Sequence, residues 1–480
     1  MEAFLQPLQG LAEFEEIKKR CGANCGILNV SGCMESQKVH LMYGLSGLFP
    51  YHLILADDER NAKEIYEDYR FYDKNVYFYP AKDLLFFQAD IHGNLLIRQR
   101  MRAIRALLEQ EEVTVVTSID GCMDFLMPLE KIRSRLLHFK SDSVIDLDQL
   151  KEELVELGYE RTGQVELPGQ FSVRGGIIDI YPLTEDNPWR IELWDDEVDS
   201  IRSFDAESQR SLENVDEITI YPAAEKMDGE DMVSFLDYFP EEKTLVFLDE
   251  LNHLAENGEG VEEEYRQSRM HREEKGEANL PEQWLCGFQE VQKKLNRRNC
   301  VAVSALSPRR SGWKINEEFD LTVKSVDSYN SSFELLVKDL LQYKSQGYRI
   351  ALLSGSRTRA ERLAKDLSEE GLNAFYRQDT DRIISPGEIM VVYGHARRGF
   401  QYPLIKFAVM TETDIFGKEQ KKRKKKKKYS GNRIQDFAEL SIGDLVVHEK
   451  HGLGIYRGIE KVEVDRVVKD YIKIEYRDGG

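Results

Sequence analysis

The stretch Asn29-Val30-Ser31-Gly32-Cys33-Met34-Glu35-Ser36 sits where a phosphate-binding loop would follow a first strand. Such a loop needs the pattern G-x-x-x-x-G-K-[ST]. Backbone amides cradle the phosphates, the lysine neutralises them and the hydroxyl holds magnesium. Here Glu35 stands where the lysine is required, and a carboxylate facing phosphates is repelled. Asp249-Glu250 closes the apolar run Thr244-Leu245-Val246-Phe247-Leu248 and has the form of the acidic strand end that accompanies such a loop. Without the lysine the pair has nothing to act with, so it reads as a strand end without catalysis. No ATP turnover is expected from these residues.

Other spacings also fall short of a reaction. Gly452, Gly454 and Gly458 run G-x-G-x-x-x-G, and β-type sequence flanks them where a dinucleotide site requires a helix. Ser354-Gly355-Ser356 opens a helix whose free amides could bind an anion, but Ser356 as a plain N-cap is the simpler reading. Gly44-Leu45-Ser46-Gly47 is not a nucleophile elbow. The nine histidines show no metal-ligand spacing. The six cysteines, at 21, 25, 33, 122, 286 and 300, form no C-x-x-C pair, and Cys21, Cys25 and Cys33 lack an evident fourth ligand. Free thiols are expected, with no catalytic residue, no cofactor and no metal.

What remains suits binding. Phe171 and Val173 alternate with Ser172 and Arg174, so an inward apolar pair would point Arg174 out of its sheet. Arg161 lies shortly upstream, across a short connection that includes Pro168-Gly169, and is expected to reach the same face; arginines on a sheet face make good anchors for a partner's carboxylates. By residue type alone, ordinary surface arginines are the simpler reading. Arg98, Arg102 and Arg105 share one helix face, for which a solvated surface is the simpler reading than a phosphate stripe. Lys421 to Lys428 is a run of eight basic residues that cannot pack; weak, salt-sensitive contact with nucleic acid is the most it suggests.

The elements that must position these residues follow from periodicity. MEAFLQPLQGLAEFEEIKKR reads as an acidic amphipathic helix. Residues 1–117 then alternate helix and strand signals: Leu53-Ile54-Leu55, Val76 to Tyr79, a helix from about Asn94 to Gln110, and Val113 to Thr117. That alternation predicts a largely parallel α/β sheet. Residues 118–215 change character: a helix ending near Gly158, then short strands in quick succession, broken at Gly175-Gly176 and Asp195-Asp196, predict a small α+β antiparallel meander. Residues 216–335 return to α/β signals, with a charged segment from Glu256 to Glu277. Residues 336–416 form a further βα domain, and 417–440 form a basic linker. From 441 to 480 the chain turns all-β, with a turn expected at His451-Gly452-Leu453-Gly454, and it ends as a barrel cut off at a hairpin. A set of loosely coupled modules from a longer protein is expected.

Length and composition set the bounds. A chain of 480 residues suggests about three domains. With 41% apolar and 32% charged residues it is globular. The net charge of −20 repels nucleic-acid phosphates, so wholesale DNA coating is unexpected. No stretch approaches the roughly 20 apolar residues of a membrane span. The amino terminus lacks a secretory pattern, which leaves the cytoplasm as the default location.

These segments carry a family resemblance. GQFSVRGGIIDIYP, followed by RIELWDDEVDSIRSFDAESQR, resembles the second domain of the repair helicase UvrB, and more closely the copy of it in transcription-repair coupling factors. DIHGNLLIRQRMRAIRALL and VTVVTSIDGCMDFLMPLE resemble the preceding half-domain. LSIGDLVVHEKHGLGIYRGIEKVEVDRVVKDYIKIEY resembles that family's RNA-polymerase-interacting domain, which is related to CarD. The resemblance implies a UvrB-like lobe that does not hydrolyse ATP: domain 1a at 1–117 and domain 1b at 216–335, split by a UvrA-binding domain 2 at 118–215. It further implies a truncated SH3/Tudor-like, CarD-like barrel at 441–480. Implied partners are UvrA, through Arg161, Phe171 and Arg174, and the RNA polymerase β subunit, near Val462. ATP, magnesium and DNA translocation would belong to the family's motor, which is absent from this sequence. The alternative is an active UvrB-type ATPase that loads onto damaged DNA, and it requires the lysine that Glu35 replaces.

Overall fold

The computed structural model describes residues 1–21, 26–82, 94–223, 232–274, 285–308, 312–417, 443–448, 452–464 and 467–476. The expected basic linker, with Lys421 to Lys428, lies outside them, as does Cys25. The chain divides into two compact units. The first comprises Met1–Lys82, Asn94–Glu262 and Glu282–Lys421, and the second Asp83–Gly93, Glu263–Pro281 and Lys422–Gly480.

The first unit is built on a seven-stranded sheet. Its order is Ile315–Asp320, Ile27–Ser31, Asn299–Val303, Thr244–Asp249, Tyr51–Ala56, Val113–Ser118 and Val76–Tyr79. Every neighbouring pair is parallel, as the helix–strand alternation predicts. Its central strands are continuous apolar runs because helices and other layers cover both faces. Strands from residues 27–118 and from 244–320 therefore share one sheet, and the meander is inserted between them.

The meander is a six-stranded sheet in the order Ser211–Val215, Glu197–Phe204, Trp189–Trp194, Ile177–Ile180, Gln170–Arg174 and Glu160–Arg161. One face packs on the helix Leu147–Glu156, through Leu150 and Leu154. A third sheet runs Lys324–Ser325, Phe400–Tyr402, Phe407–Thr411, Arg349–Ser354, Glu388–Tyr393, Asn373–Arg377, with the helix Arg357–Glu369 packed on it.

The expectation of loosely coupled modules is corrected within this unit. One continuous apolar cluster joins Leu53, Leu55 and Val115 of the large sheet to Phe171, Ile178 and Ile191 of the meander. A second joins the other face of the large sheet to Met390, Phe400 and Val409 of the third sheet. Apolar faces left by each layer are buried by the next, and this ties the layers together.

Two local expectations also change. The amino-terminal segment forms two helices, Glu2–Leu8 and Ala12–Cys21, not one. Gly10 lies between them, and a Cβ there would meet Ile405 Cγ2 at 3.1 Å. Arg98, Arg102 and Arg105 do not form a free solvated face. Arg98 and Arg102 reach Asp186 at 2.7 and 2.6 Å, and Arg105 pairs with Glu185. That helix face thus clasps the loop between two meander strands.

The second unit contains a three-stranded antiparallel sheet, Leu445–His448, Gly452–Val464 and Val467–Tyr476. The turn expected at 451–454 does not include Gly452, Leu453 and Gly454, which are in the strand, paired with His448, Val447 and Val446. Among the described residues no closed barrel forms. No described helix is long and apolar enough to cross a membrane.

Candidate functional site

The carboxyl ends of parallel strands are where an α/β sheet collects ligand-binding groups. Here that rim carries Ser31-Gly32-Cys33, Asp57 and Asp249-Glu250, around a cleft of about 300 Å³. Gly32 turns the chain with φ +77°, and a Cβ there would lie 2.1 Å from the Leu321 carbonyl oxygen. The helix that follows, Glu35–Ser46, starts at a residue with φ 25° and aims its first turn at the acidic pair.

The sequence reading of that pair is corrected. Asp249 and Glu250 do have a cation: Lys38, one turn into the helix, places Nζ 2.6 Å from Asp249 Oδ1 and 2.6 Å from Glu250 Oε1. Asn61 donates to the other Asp249 oxygen at 2.7 Å, and the Ala305 amide donates to Glu250 at 2.8 Å. Burial opposes charge on Lys38, but the two carboxylates outweigh it and hold its pKa above the ordinary lysine value. The signal in the sequence was a lysine three positions beyond the loop register, on the helix face that meets the strand end. The result is an internal ion pair across a phosphate-type cleft, with Glu35 at its mouth beside Arg398 at 3.7 Å. A nucleotide phosphate entering here would meet carboxylates already holding the cleft's lysine.

The Ser354-Gly355-Ser356 turn is also filled from within. Ser356 occupies the N-cap position but makes no side-chain cap bond, contrary to expectation. Glu412 accepts from Ser354 and pairs with Arg359 at 3.2 Å, which puts a carboxylate where an anion would sit. The described cysteines are buried, and none of them is in a disulfide. No cluster of potential metal ligands occurs among the described residues.

The meander holds the predicted binding residues, though not as one constellation. Phe171 is fully buried, paired with Ile180 and packed in the core, which removes its ring from any contact surface. Arg174 lies on the opposite face, half-exposed, and donates to Asp179 at 2.7 Å. Asp179 is fully buried and also accepts from Arg190 at 2.6 and 2.9 Å. That carboxylate fixes Arg174 by one edge and leaves the rest of the guanidinium to solvent. Arg161 is exposed, but its register partner is Phe171 in a parallel pair. Register partners share a face, so Arg161 lies on the helix side of the sheet, where its charge adds to that of Lys151, whose hydrogen bond chiefly holds the Asp148 carboxyl low. The two arginines therefore stand on opposite faces. Val462 lies in the strand Gly452–Val464, opposite Lys469. Leu445–His448 pairs only with Gly452 to Ile455, so among the described residues Val462 has a strand on one side.

Comparison with known proteins gives the chain its place. Residues 137–225 match the UvrB interaction domain, and residues 440–480 match the CarD-like/TRCF RID domain. The protein is thus of the class that joins a UvrB-type interaction module to a CarD-type domain. The chain is 28% identical to a transcription-repair-coupling factor of Bacillus subtilis, covering 93% of itself and 44% of that protein. It is 26% identical to the same factor of Staphylococcus aureus, over 84% of itself and 39% of the relative. The Staphylococcus epidermidis factor is 28% identical over 88% of this chain and 41% of its own length. The chain is similar to transcription-repair coupling factors along most of its own length and spans less than half the length of these relatives.

Proposed function

We propose that this chain is a non-catalytic docking module of transcription-coupled repair. Its meander recruits UvrA, and its carboxy-terminal sheet tethers to the RNA polymerase β subunit, so repair is brought to polymerase stalled at DNA damage. ATP hydrolysis with magnesium, and DNA translocation, are assigned to the portion of the family's chain outside this one. The observation that carries the reading is Arg174, held half-exposed by the buried Asp179 carboxylate on the face of the meander away from the helix Leu147–Glu156. A guanidinium fixed in advance loses little freedom when it meets a partner's carboxylate. Arg161 acts from the other face, and Phe171 supports the strand from beneath. Val462 is assigned to the strand edge that meets polymerase.

The test is affinity for purified UvrA, with Arg174→Ala and Arg161→Ala measured separately. Loss of a hot-spot arginine weakens binding about thirtyfold, corresponding to about 2 kcal/mol. An Arg174→Ala chain with native circular dichroism that binds UvrA within about twofold of the parent overturns the assignment. The alternative, a UvrB-type ATP-dependent damage loader, is not favoured. Glu35 stands at the cleft mouth, and Lys38 is committed to Asp249 and Glu250.

A further inference from the structure

A sheet edge presents unpaired N–H and C=O groups, and folded proteins blunt it with charge, proline, bulges, brevity or cover. The three large sheets of the first unit have six edges, and among the described residues five are blunted. Ile315–Asp320 carries Glu317, Glu318 and Asp320, and Ser211–Val215 carries Glu213 on an exposed run. Val76–Tyr79 is largely buried, while Glu160–Arg161 and Lys324–Ser325 are two residues long. The sixth edge, Asn373–Arg377 of the third sheet, has none of these devices. It reads Asn373-Ala374-Phe375-Tyr376-Arg377, with no proline and no charge before its last position. Its ladder with Glu388–Tyr393 runs from Asn373 opposite Glu388 to Arg377 opposite Val392 without a bulge. Its backbone bonds to no other described segment.

The strand is held firmly while its rim is open. Ala374 and Tyr376 pack on the side of the helix Arg357–Glu369, and Phe375 packs on the opposite side, toward the large sheet. The Arg382 guanidinium lies 4.1 Å from the centre of the Phe375 ring. Alternate residues of such a strand turn both backbone groups away from the sheet, ready for one more strand. The side chains select that strand. An antiparallel copy of the same five residues, related by a two-fold axis at Phe375, sets Phe375 against Phe375, Ala374 against Tyr376 and Asn373 against Arg377. Ring meets ring, and a small side chain meets a large one. The Asn373 amide oxygen meets a half-exposed guanidinium that among the described residues pairs only with Asp379, at 3.3 Å. The same axis brings the exposed Glu369 and Glu370, at the end of the helix, toward the Arg377 end of the other strand. A parallel copy would place like ends together and leave an edge that no symmetry closes.

We propose that Asn373–Arg377 is a self-association edge, on which a second copy of this chain adds its own Asn373–Arg377 antiparallel and joins the two sheets across a two-fold axis. The inference is independent of the docking reading above. So short a ladder makes a small interface, below about 1,200 Å². The net charge of −20 makes two copies repel, so the dimer is weak and exchanging.

Sedimentation velocity of the full chain, from about 1 to about 200 µM, covers the range expected of so small an interface. Hydrogen exchange is followed at the same concentrations. The parent should pass from monomer to dimer, with amide protection rising in residues 373–377. Asn373→Lys sets cations opposite each other twice in the dimer and should weaken association at least about tenfold. Adding Arg377→Glu turns both contacts into opposite charges and should restore it. Both positions are exposed, so each variant should keep the parent's circular dichroism. A parent that stays monomeric throughout overturns the proposal. So does a dimer that Asn373→Lys leaves intact within about twofold, or one whose loss Arg377→Glu fails to rescue. Protection of residues 373–377 that appears only on mixing with UvrA would give the edge to a strand of that partner, and the proposal would fail.

Discussion

Removing Lys38 tests whether the phosphate-type cleft is held shut by its own ion pair. Lys38 and Asp249 are almost wholly buried, with side chains 11% and 3% exposed. Replacing Lys38 by Met keeps the stem's volume and leaves Asp249 and Glu250 without their cation. Removing one partner of a buried pair costs about 3–5 kcal/mol, because the remaining charge is uncompensated. At about 2.1 cal/mol/K per residue, the unfolding entropy of the first unit is roughly 0.8 kcal/mol/K, so Tm should fall by about 5 °C. The loss has a definite pH dependence. Burial already pushes the Asp249 carboxyl up, and without Lys38 it rises further. A carboxyl raised above its unfolded value binds its proton more tightly when folded, so stability falls as pH rises from the unfolded value toward the folded one. The deficit of Lys38→Met should be larger at pH 8 than at pH 5. Adding Asp249→Asn should recover part of it, and the double-mutant cycle reads the coupling directly. Thermal unfolding at the two pH values, with and without magnesium and ATP, is the assay. A Lys38→Met protein as stable as its parent at both pH values, or a parent whose Tm rises with magnesium and ATP, would refute the reasoning.

Phe171→Ala should destabilise the chain by about 3–5 kcal/mol, because a fully buried ring leaves a cavity. Its effect on UvrA retention should track the loss of meander structure in circular dichroism, and loss of binding with an intact meander would contradict a purely supporting role. His40 is fully buried between Tyr402 Oη and the Phe4 carbonyl, each at 3.0 Å, and burial pushes its pKa down to about 4. A base depressed on folding is stabilising when neutral. That contribution is whole above about 6.5, is lost as pH falls toward 4, and amounts to about 3 kcal/mol. Denaturant titrations across that window should show a shallower slope for His40→Gln than for the parent.

Strand positions, the helix from Asn94 and the parallel character of the large sheet were readable because each depends on local periodicity. The missing loop lysine at Glu35 was equally plain, since a motif is defined by spacing along the chain. So was the change of character that marks the meander, and the family resemblance rests on those same strings.

Other features were decided only when strands met. Lys38 belongs to no motif, and its link to Asp249 spans more than two hundred residues, so only the sheet order brings them together. Arg98 and Arg102 looked solvated because Asp186 lies on a distant loop. The same limit separated Arg161 from Arg174. Alternation along one strand placed Phe171 and Arg174 on opposite faces, but the face of Arg161 depends on its register with another strand. Side-chain direction repeats every two residues along a strand, while register across strands is set by packing and hydrogen bonds between segments. The sequence by itself therefore determined which elements form and which side chains alternate. The tertiary structure alone decided which charges neutralise each other and that Arg161 and Arg174 stand on opposite faces of one sheet.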